Sequence, residues 1–314
     1  MAQKRSWRRV DGVLLLDKSA GLSSNQALQQ ARRLFQAEKA GHLGTLDPFA
    51  SGLLPIALGE ATKLSQFSLD ANKTYRATMR LGVTTTTGDP EGEEVVRCAP
   101  QELERITKHD VESALLAFIG KQEQMPPRFS ALKYQGKAYY DYARAGIDIP
   151  RETRTIEIFS LSLVDFSSPT VVFDTQVSKG TYIRTLAEDI GSALGCGAHL
   201  TALRRLQSGS FTLEQAYTLD ALTSLNETEH MGALLSPDAL LAGQRRIDVD
   251  QDVKQRLLQG QRINLREVGL PLDTEFSVCA AYCEDVLIGI ASASDGALRP
   301  KRLFRYSSSD GGNQ

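Results

Sequence analysis

Residues 41–63 read Gly-His-Leu-Gly-Thr-Leu-Asp-Pro-Phe-Ala-Ser-Gly-Leu-Leu-Pro-Ile-Ala-Leu-Gly-Glu-Ala-Thr-Lys and set one carboxylate, Asp47, inside a glycine-studded, otherwise almost uncharged stretch. If that stretch is buried, the carboxylate must find a cation or hydrogen-bond donors, or else take up a proton. Such surroundings suit a reactive group. Gly41, Gly44 and Gly52 allow backbone shapes and close ligand approach that other residues resist, and Pro48 pushes the preceding residue towards extended or turn geometry. An Asp-Pro pair between glycines is usually just a turn, and by themselves these residues favour that reading.

A second segment with chemical potential is Ser178-Lys179-Gly180-Thr181-Tyr182-Ile183-Arg184, at the entry to an expected helix. Free N–H groups and the helix dipole favour anions there, so its basic residues could meet a phosphate or the Asp47 carboxylate. Taken alone, Arg184 reads more simply as a surface or structural ion-pair residue. Tyr75 lies in a run where Tyr75, Ala77, Met79 and Leu81 alternate with Thr74, Arg76, Thr78 and Arg80. That alternation points Tyr75 to the apolar side of a half-buried strand, where a core aromatic is the simplest reading. Leu203, in Ala202-Leu203-Arg204-Arg205-Leu206, reads in the same way as core packing.

In chain order, these segments resemble the motifs of the TruB family of tRNA pseudouridine-55 synthases. The resemblance runs from residue 11 to about residue 207 and includes Leu14-Leu15-Leu16-Asp17-Lys18, the Asp47 run, Lys73-x-Tyr75-Arg76, residues 129–137, the Arg184 run and Gly195-Cys196-Gly197-Ala198-His199. It implies that Asp47 is the catalytic residue, that Arg184 is its ion-pair partner and that Tyr75 stacks on the target base. His42, Tyr182 and Leu203 are implied to lie against the substrate, with Lys18, Asp89 and Lys179 as secondary candidates. One departure stands out: Thr86 occupies a place where members commonly carry Asp, which leaves the charge network around Asp89 open.

The implied reaction cleaves the N–C glycosidic bond of uridine 55 in the TΨC loop of tRNA, rotates the base and rejoins it through carbon. One carboxylate can serve this, by attack on sugar C1′ or on base C6; the sequence leaves that choice open, and also whether Tyr75 or Asp47 removes the C5 proton. The nucleotide must first leave its stack, a cost that aromatic stacking on Tyr75 can offset. No cofactor, metal or guide RNA is implied, and a cytoplasmic monomer is expected. The alternatives are an RNA-binding or tRNA-remodelling protein, and the catalytic subunit of a guide-RNA-dependent pseudouridylation complex. The implied fold is α+β, the pseudouridine synthase fold: a mixed, mostly antiparallel central sheet flanked by helices over residues 1–245, with a small β-rich PUA-like domain over residues 246–314.

Composition agrees with a folded chain of this size. The 314 residues are 41% hydrophobic and 24% charged, near the ordinary globular average and enough for two domains. No apolar run is long enough to span a bilayer. The four cysteines show no paired CxxC spacing and only four histidines accompany them, which disfavours a metal site and fits buried free thiols in a reducing compartment. A net charge of −2 does not advertise nucleic-acid binding, so local basic clusters must carry it. Candidates are Lys4, Arg5, Arg8 and Arg9; Arg204 and Arg205; Arg245 and Arg246; and Arg299, Lys301, Arg302 and Arg305.

The pattern predicts a strand over residues 12–16, a helix opened by the Ser23-x-x-Gln26 capping box, a strand over 74–81 and helices over 111–118 and 138–145. Strands over 156–166 and 171–177 follow, then a helix over 181–194 ended by Gly195. Residues 84–109 are expected to form a long loop. Beyond residue 245, strands over 276–281 and 286–291 are expected, with a frayed tail from residue 307.

Overall fold

Runs of β-branched and alternating apolar residues form the centre of the molecule, which a computed structural model describes over residues 7–305. Lys4, Arg5 and the tail from residue 307 lie outside the described residues. The strands that carry the site are Gly12–Lys18 (β1), Ser51–Leu58 (β2), Lys73–Leu81 (β3), Gly120–Gln124 (β4), Arg154–Ser167 (β5), Thr170–Val177 (β6), Ala198–Ser208 (β7) and Tyr217–Thr218 (β8). They run in the order β8-β1-β2-β7-β3-β6-β5-β4 within a sheet of eleven strands among the described residues. The β2–β7 and β8–β1 pairs are parallel and the other neighbours along this path antiparallel, giving the mixed sheet expected.

The expected alternation in β3 holds: Lys73, Tyr75, Ala77, Met79 and Leu81 are buried, while Arg76 and Arg80 are exposed. β1 and β2 are apolar at nearly every position because both of their faces are covered. Leu14, Leu16, Leu54, Ile56 and Leu58 join the main core, whereas Val13, Leu15, Leu53 and Ala57 point the other way. Helix Ser24–Leu34 (α1) begins at the expected box, with Ser23 Oγ accepting from the Gln26 N–H at 3.2 Å and Gln26 Oε1 accepting from the Ser23 N–H at 2.8 Å.

Several boundaries differ from expectation. Helix Lys108–Ala117 (α2) starts before residue 111 because Thr107 and Asp110 form a second capping box. Residues 84–109 are not one loop: Val83–Thr85 pairs with Glu94–Arg97, and Pro100–Leu103 is a short helix with Pro at its start. Glu94–Arg97 is exposed along its whole length, so it lacks the apolar alternation that marks a strand in sequence. Helix Ile183–Ala193 (α3) begins two residues after position 181, with Tyr182 as its N-cap.

Past residue 244 the chain forms a separate five-stranded sheet. Its strands are Arg245–Asp248 (β9), Ile263–Asn264 (β10), Phe276–Cys283 (β11), Val286–Ser294 (β12) and Ala297–Leu303 (β13), in the order β9-β11-β12-β13-β10, with helix Gln251–Leu258 (α4) alongside. Ala280, Tyr282, Leu287, Ile290 and Phe304 pack onto the second face of β1 and β2, so one apolar cluster joins the two sheets. Glu60 ties them further, accepting from Lys63 Nζ at 2.6 Å and the Arg305 N–H at 2.7 Å, while Lys63 Nζ also donates to Leu303 O at 2.8 Å. All four cysteines are free thiols, and Cys196, Cys279 and Cys283 are buried. No helix among the described residues is long and apolar enough to cross a membrane.

Candidate active site

Asp47 hangs from a loop between a short strand, Ala40–His42, and β2, and the residues around it are each held by backbone-directed contacts. Ser24, the first residue of α1, grips Leu46 from both sides: its Oγ donates to Leu46 O at 2.9 Å and accepts from the Leu46 N–H at 2.8 Å. On the other side of Asp47, Pro48 O accepts from the Gly21 N–H at 2.8 Å and from Lys18 Nζ at 3.4 Å. The carboxylate is thus aimed by its neighbours.

It meets Arg184 in the first turn of α3. Arg184 Nε lies 2.9 Å from Asp47 Oδ2, and an Nη2 N–H donates to Oδ1 at 3.3 Å. The same guanidinium donates to Asp89 Oδ2 at 3.2 Å, Thr87 O at 3.0 Å and Phe129 O at 2.8 Å. Arg184 is therefore a buried cation shared by two carboxylates. Asp89 is itself buried and held by the Thr87 hydroxyl at 2.5 Å and the Glu91 N–H at 3.0 Å. The charge network that Thr86 left open is completed by Asp89, three residues further along.

The Asp47 side chain stays 33% exposed, against 3% for Arg184 and 4% for Asp89, so Asp47 is the member of the triad that a substrate can reach. Desolvation pushes its carboxyl up from the ordinary value, Arg184 opposes this and the Asp89 charge adds to it, leaving the group raised. Lys18 is fully buried and donates to Ser19 O at 2.9 Å and Leu22 O at 2.6 Å. Burial lowers it to about 8 against the pull of Asp47. It stays mainly cationic at neutral pH.

The entry to α3 is set by Gln124 at the end of β4. Its side-chain amide accepts from the Tyr182 N–H at 2.8 Å and donates to Tyr182 O at 3.0 Å, so a side chain replaces the missing cap. The half-buried Tyr182 ring has the Arg154 guanidinium 5.5 Å from its centroid. Tyr75 and Leu203 are buried on neighbouring strands, β3 and β7, in one apolar cluster. His42 is half-buried, with Nδ1 shielded and unpartnered, and lines an open pocket of about 440 Å³ with Arg32, Lys39, Thr62 and Ser65. Burial lowers its pKa, and the charge of Arg205 adds to that.

Lys179 is not brought to this cluster. It is exposed and pairs with Asp70 at 2.8 Å, because the turn at Gly180 separates it from the helix that carries Arg184. The expected basic clusters also need correction. Arg205 is 1% exposed and cannot meet a phosphate, and Arg204 forms a two-pronged pair with Asp17 at 3.1 and 2.7 Å. Arg8 pairs with Glu227, Arg246 with Asp248 and Asp285, and Arg299 with Asp295. Arg245, Lys301, Arg302 and Arg305 remain exposed.

Sequence reasoning missed Ser24 and Gln124, which touch the site only through backbone. Ser24 sits behind a capping Ser and carries no signal of its own. Arg205 could have been found, since it lies two residues from Leu203 on a strand and so shares its face.

Known proteins share this construction. Residues 32–183 match the TruB family pseudouridylate synthase N-terminal domain, residues 184–274 the tRNA pseudouridylate synthase B C-terminal domain, and residues 246–304 the C-terminal domain of pseudouridine synthase II TruB. A Burkholderia mallei protein named tRNA pseudouridine synthase B is 52% identical over 302 residues, covering 94% of this chain and 97% of that protein. A Thiobacillus denitrificans protein of the same name is 50% identical over 301 residues, covering 96% and 98%. The fold is also that of a chain in the archaeal box H/ACA sRNP Nop10-Cbf5 complex, with a TM-score of 0.70 at 24% identity over 94% of this chain and 86% of that one. With half of its residues identical to such relatives over nearly its whole length, the chain belongs to the TruB family of pseudouridylate synthases.

Proposed function

We propose that this protein isomerises uridine 55 in the TΨC loop of tRNA to pseudouridine, as a cytoplasmic monomer without guide RNA or cofactor. The observation that carries the reading is the Asp47–Arg184–Asp89 triad, in which only the Asp47 side chain is open to a substrate. In one route an Asp47 oxygen attacks C1′ of the flipped nucleotide, the C1′–N1 bond breaks and uracil leaves as an anion with the bonding pair. After the base turns, C5 attacks C1′ and the carboxylate is released. The C5 proton is then removed and N1 regains one. Addition of Asp47 to C6 of the base is a second route that uses the same ion pair. Tyr75 stacks on the base and, with Asp47, is a candidate acceptor for the C5 proton. His42, Tyr182 and Leu203 line the bound nucleotide. The division between catalytic and RNA-binding domains falls at residue 245, where the second sheet begins, and Lys301 and Arg302 offer that domain's free charge to RNA phosphates.

Purified protein incubated with unmodified tRNA transcript alone, with pseudouridine mapped at single-nucleotide resolution, tests this reading. Product at position 55, lost in Asp47→Asn, is expected. Tight tRNA binding without product would overturn it in favour of an RNA-binding protein or a subunit awaiting a guide. The fold shared with the box H/ACA complex favours that second reading, but the half-identical relatives carry names of tRNA enzymes.

A further inference from the structure

Arg205 is a cation in an unusual place. It is 1% exposed, in the middle of β7, and among the described residues no carboxylate lies within ion-pair distance of it. A buried charge without a counter-ion is costly unless dipoles replace its water. The dipoles here are three backbone carbonyls. Nε donates to Leu53 O at 2.7 Å, one terminal nitrogen to Gly44 O at 3.2 Å and the other to Thr45 O at 3.5 Å. Two of these belong to the loop that reaches Asp47 two residues later.

The backbone of Arg205 is equally constrained. On one side it is the parallel partner of Gly52, and on the other the antiparallel partner of Tyr75. Gly52 sits at φ +101, where an added Cβ would come within 2.3 Å of Arg205 O, so β2 lies flush against this residue. Directly opposed residues of an antiparallel pair project from the same face. The side chain of Arg205 therefore lies beside Tyr75 while its guanidinium holds the Asp47 loop.

We propose that Arg205 is a positioning residue, fixing the Asp47 loop and Tyr75 relative to each other through the carbonyls of Gly44 and Thr45. The inference rests on the roles proposed above for Asp47 and Tyr75. A guanidinium is required because its planar fork reaches carbonyls in three directions, which a lysine ammonium on a straight stem cannot reproduce. In keeping with a field that spreads from this buried charge, Arg205 also lowers the pKa values of His42 and Lys18.

The test compares wild-type protein with Arg205→Lys and Arg205→Gln on tRNA transcript. In both variants kcat is expected to fall about 10- to 100-fold while KM for tRNA changes less than about threefold, since the loop is displaced but the RNA surface is not. Amide hydrogen exchange at Leu43 and Leu46 is expected to accelerate about tenfold or more, while exchange in β5 and β6 stays the same. An Arg205→Lys enzyme with wild-type kcat and unchanged exchange at Leu43 and Leu46 would overturn the proposal. If neither variant folds, Gly44→Ala probes the loop side, because a side chain at φ +118 strains the backbone whose carbonyl Arg205 holds, while the added Cβ makes only ordinary contact, at 3.4 Å, with the Arg205 terminal nitrogen. A kcat loss at constant KM would then support the proposal, and an unchanged kcat would refute it. Wild-type protein that makes no pseudouridine would sink the functional reading instead, and the exchange measurement would still decide the role of Arg205.

Discussion

Replacing Arg184 by Met removes the one cation between two carboxylates, and the structure sets both the size and the pH dependence of the effect. Asp89 is the more damaging orphan because its side chain is only 4% exposed, whereas a third of the Asp47 side chain can be rehydrated. Breaking a buried ion pair by deleting one partner costs about 3–5 kcal/mol, and the carbonyls of Thr87 and Phe129 also lose a donor. A loss of about 4 kcal/mol is thus expected at pH 8. Arg184→Lys keeps the charge but not the fork, and is expected to lose roughly half as much. At lower pH the penalty shrinks. Asp47 is already raised by burial and by Asp89, with Arg184 opposing, so its folded value climbs further once the guanidinium is gone. A carboxyl whose folded pKa exceeds its unfolded one favours the folded state below the unfolded value and loses that contribution as pH rises through the folded value. Urea unfolding followed by circular dichroism at pH 5 and pH 8 reads the difference. Equal destabilisation of Arg184→Met at the two pH values would refute the reasoning.

Three further outcomes follow from the same geometry. Asp89→Asn removes a charge that raises Asp47, so the acid limb of the pH–rate profile is expected to move to lower pH; a limb that stays in place would show that Asp47 does not set it. Glu188 is held up to about 7, against an ordinary 4.5, by burial and then by Asp189. Its contribution to stability is present below pH 4.5 and lost as pH rises through about 7, so Glu188→Gln is expected to raise Tm at pH 8 and leave it nearly unchanged at pH 4.5. Gly52→Ala would place a methyl 2.3 Å from Arg205 O at φ +101, and a destabilisation of about 3 kcal/mol or more is expected in urea unfolding, with under 1 kcal/mol speaking against the close approach.

What could be read from the sequence, and what could not, separates along physical lines. The strand at Tyr75 and the helix at Arg184 were legible because burial of one face imposes a period that survives in any linear reading. The Asp47 loop was legible because its glycines permit, and its proline favours, the backbone shapes of a tight turn. The pairing of Asp47 with Arg184 was one of two readings of a basic helix start, and family likeness chose between them, since 137 positions separate the residues and nothing local joins them. The strand Glu94–Arg97 was not legible, because a strand exposed along its whole length leaves no alternation. Most instructive is the pair Arg204 and Arg205, read as one basic cluster. On a strand, consecutive side chains point to opposite faces, so the first pairs with Asp17 at the edge of solvent while the second disappears into the interior. Counting adjacent charges measured composition, whereas the fold divides them by parity. The same parity places Arg205 beside Tyr75 and Leu203 beside Ala77, each opposite its partner on β3. The middle of β7 thus joins an apolar wall to a buried cation, and together they back the one carboxylate of the triad that remains open to substrate.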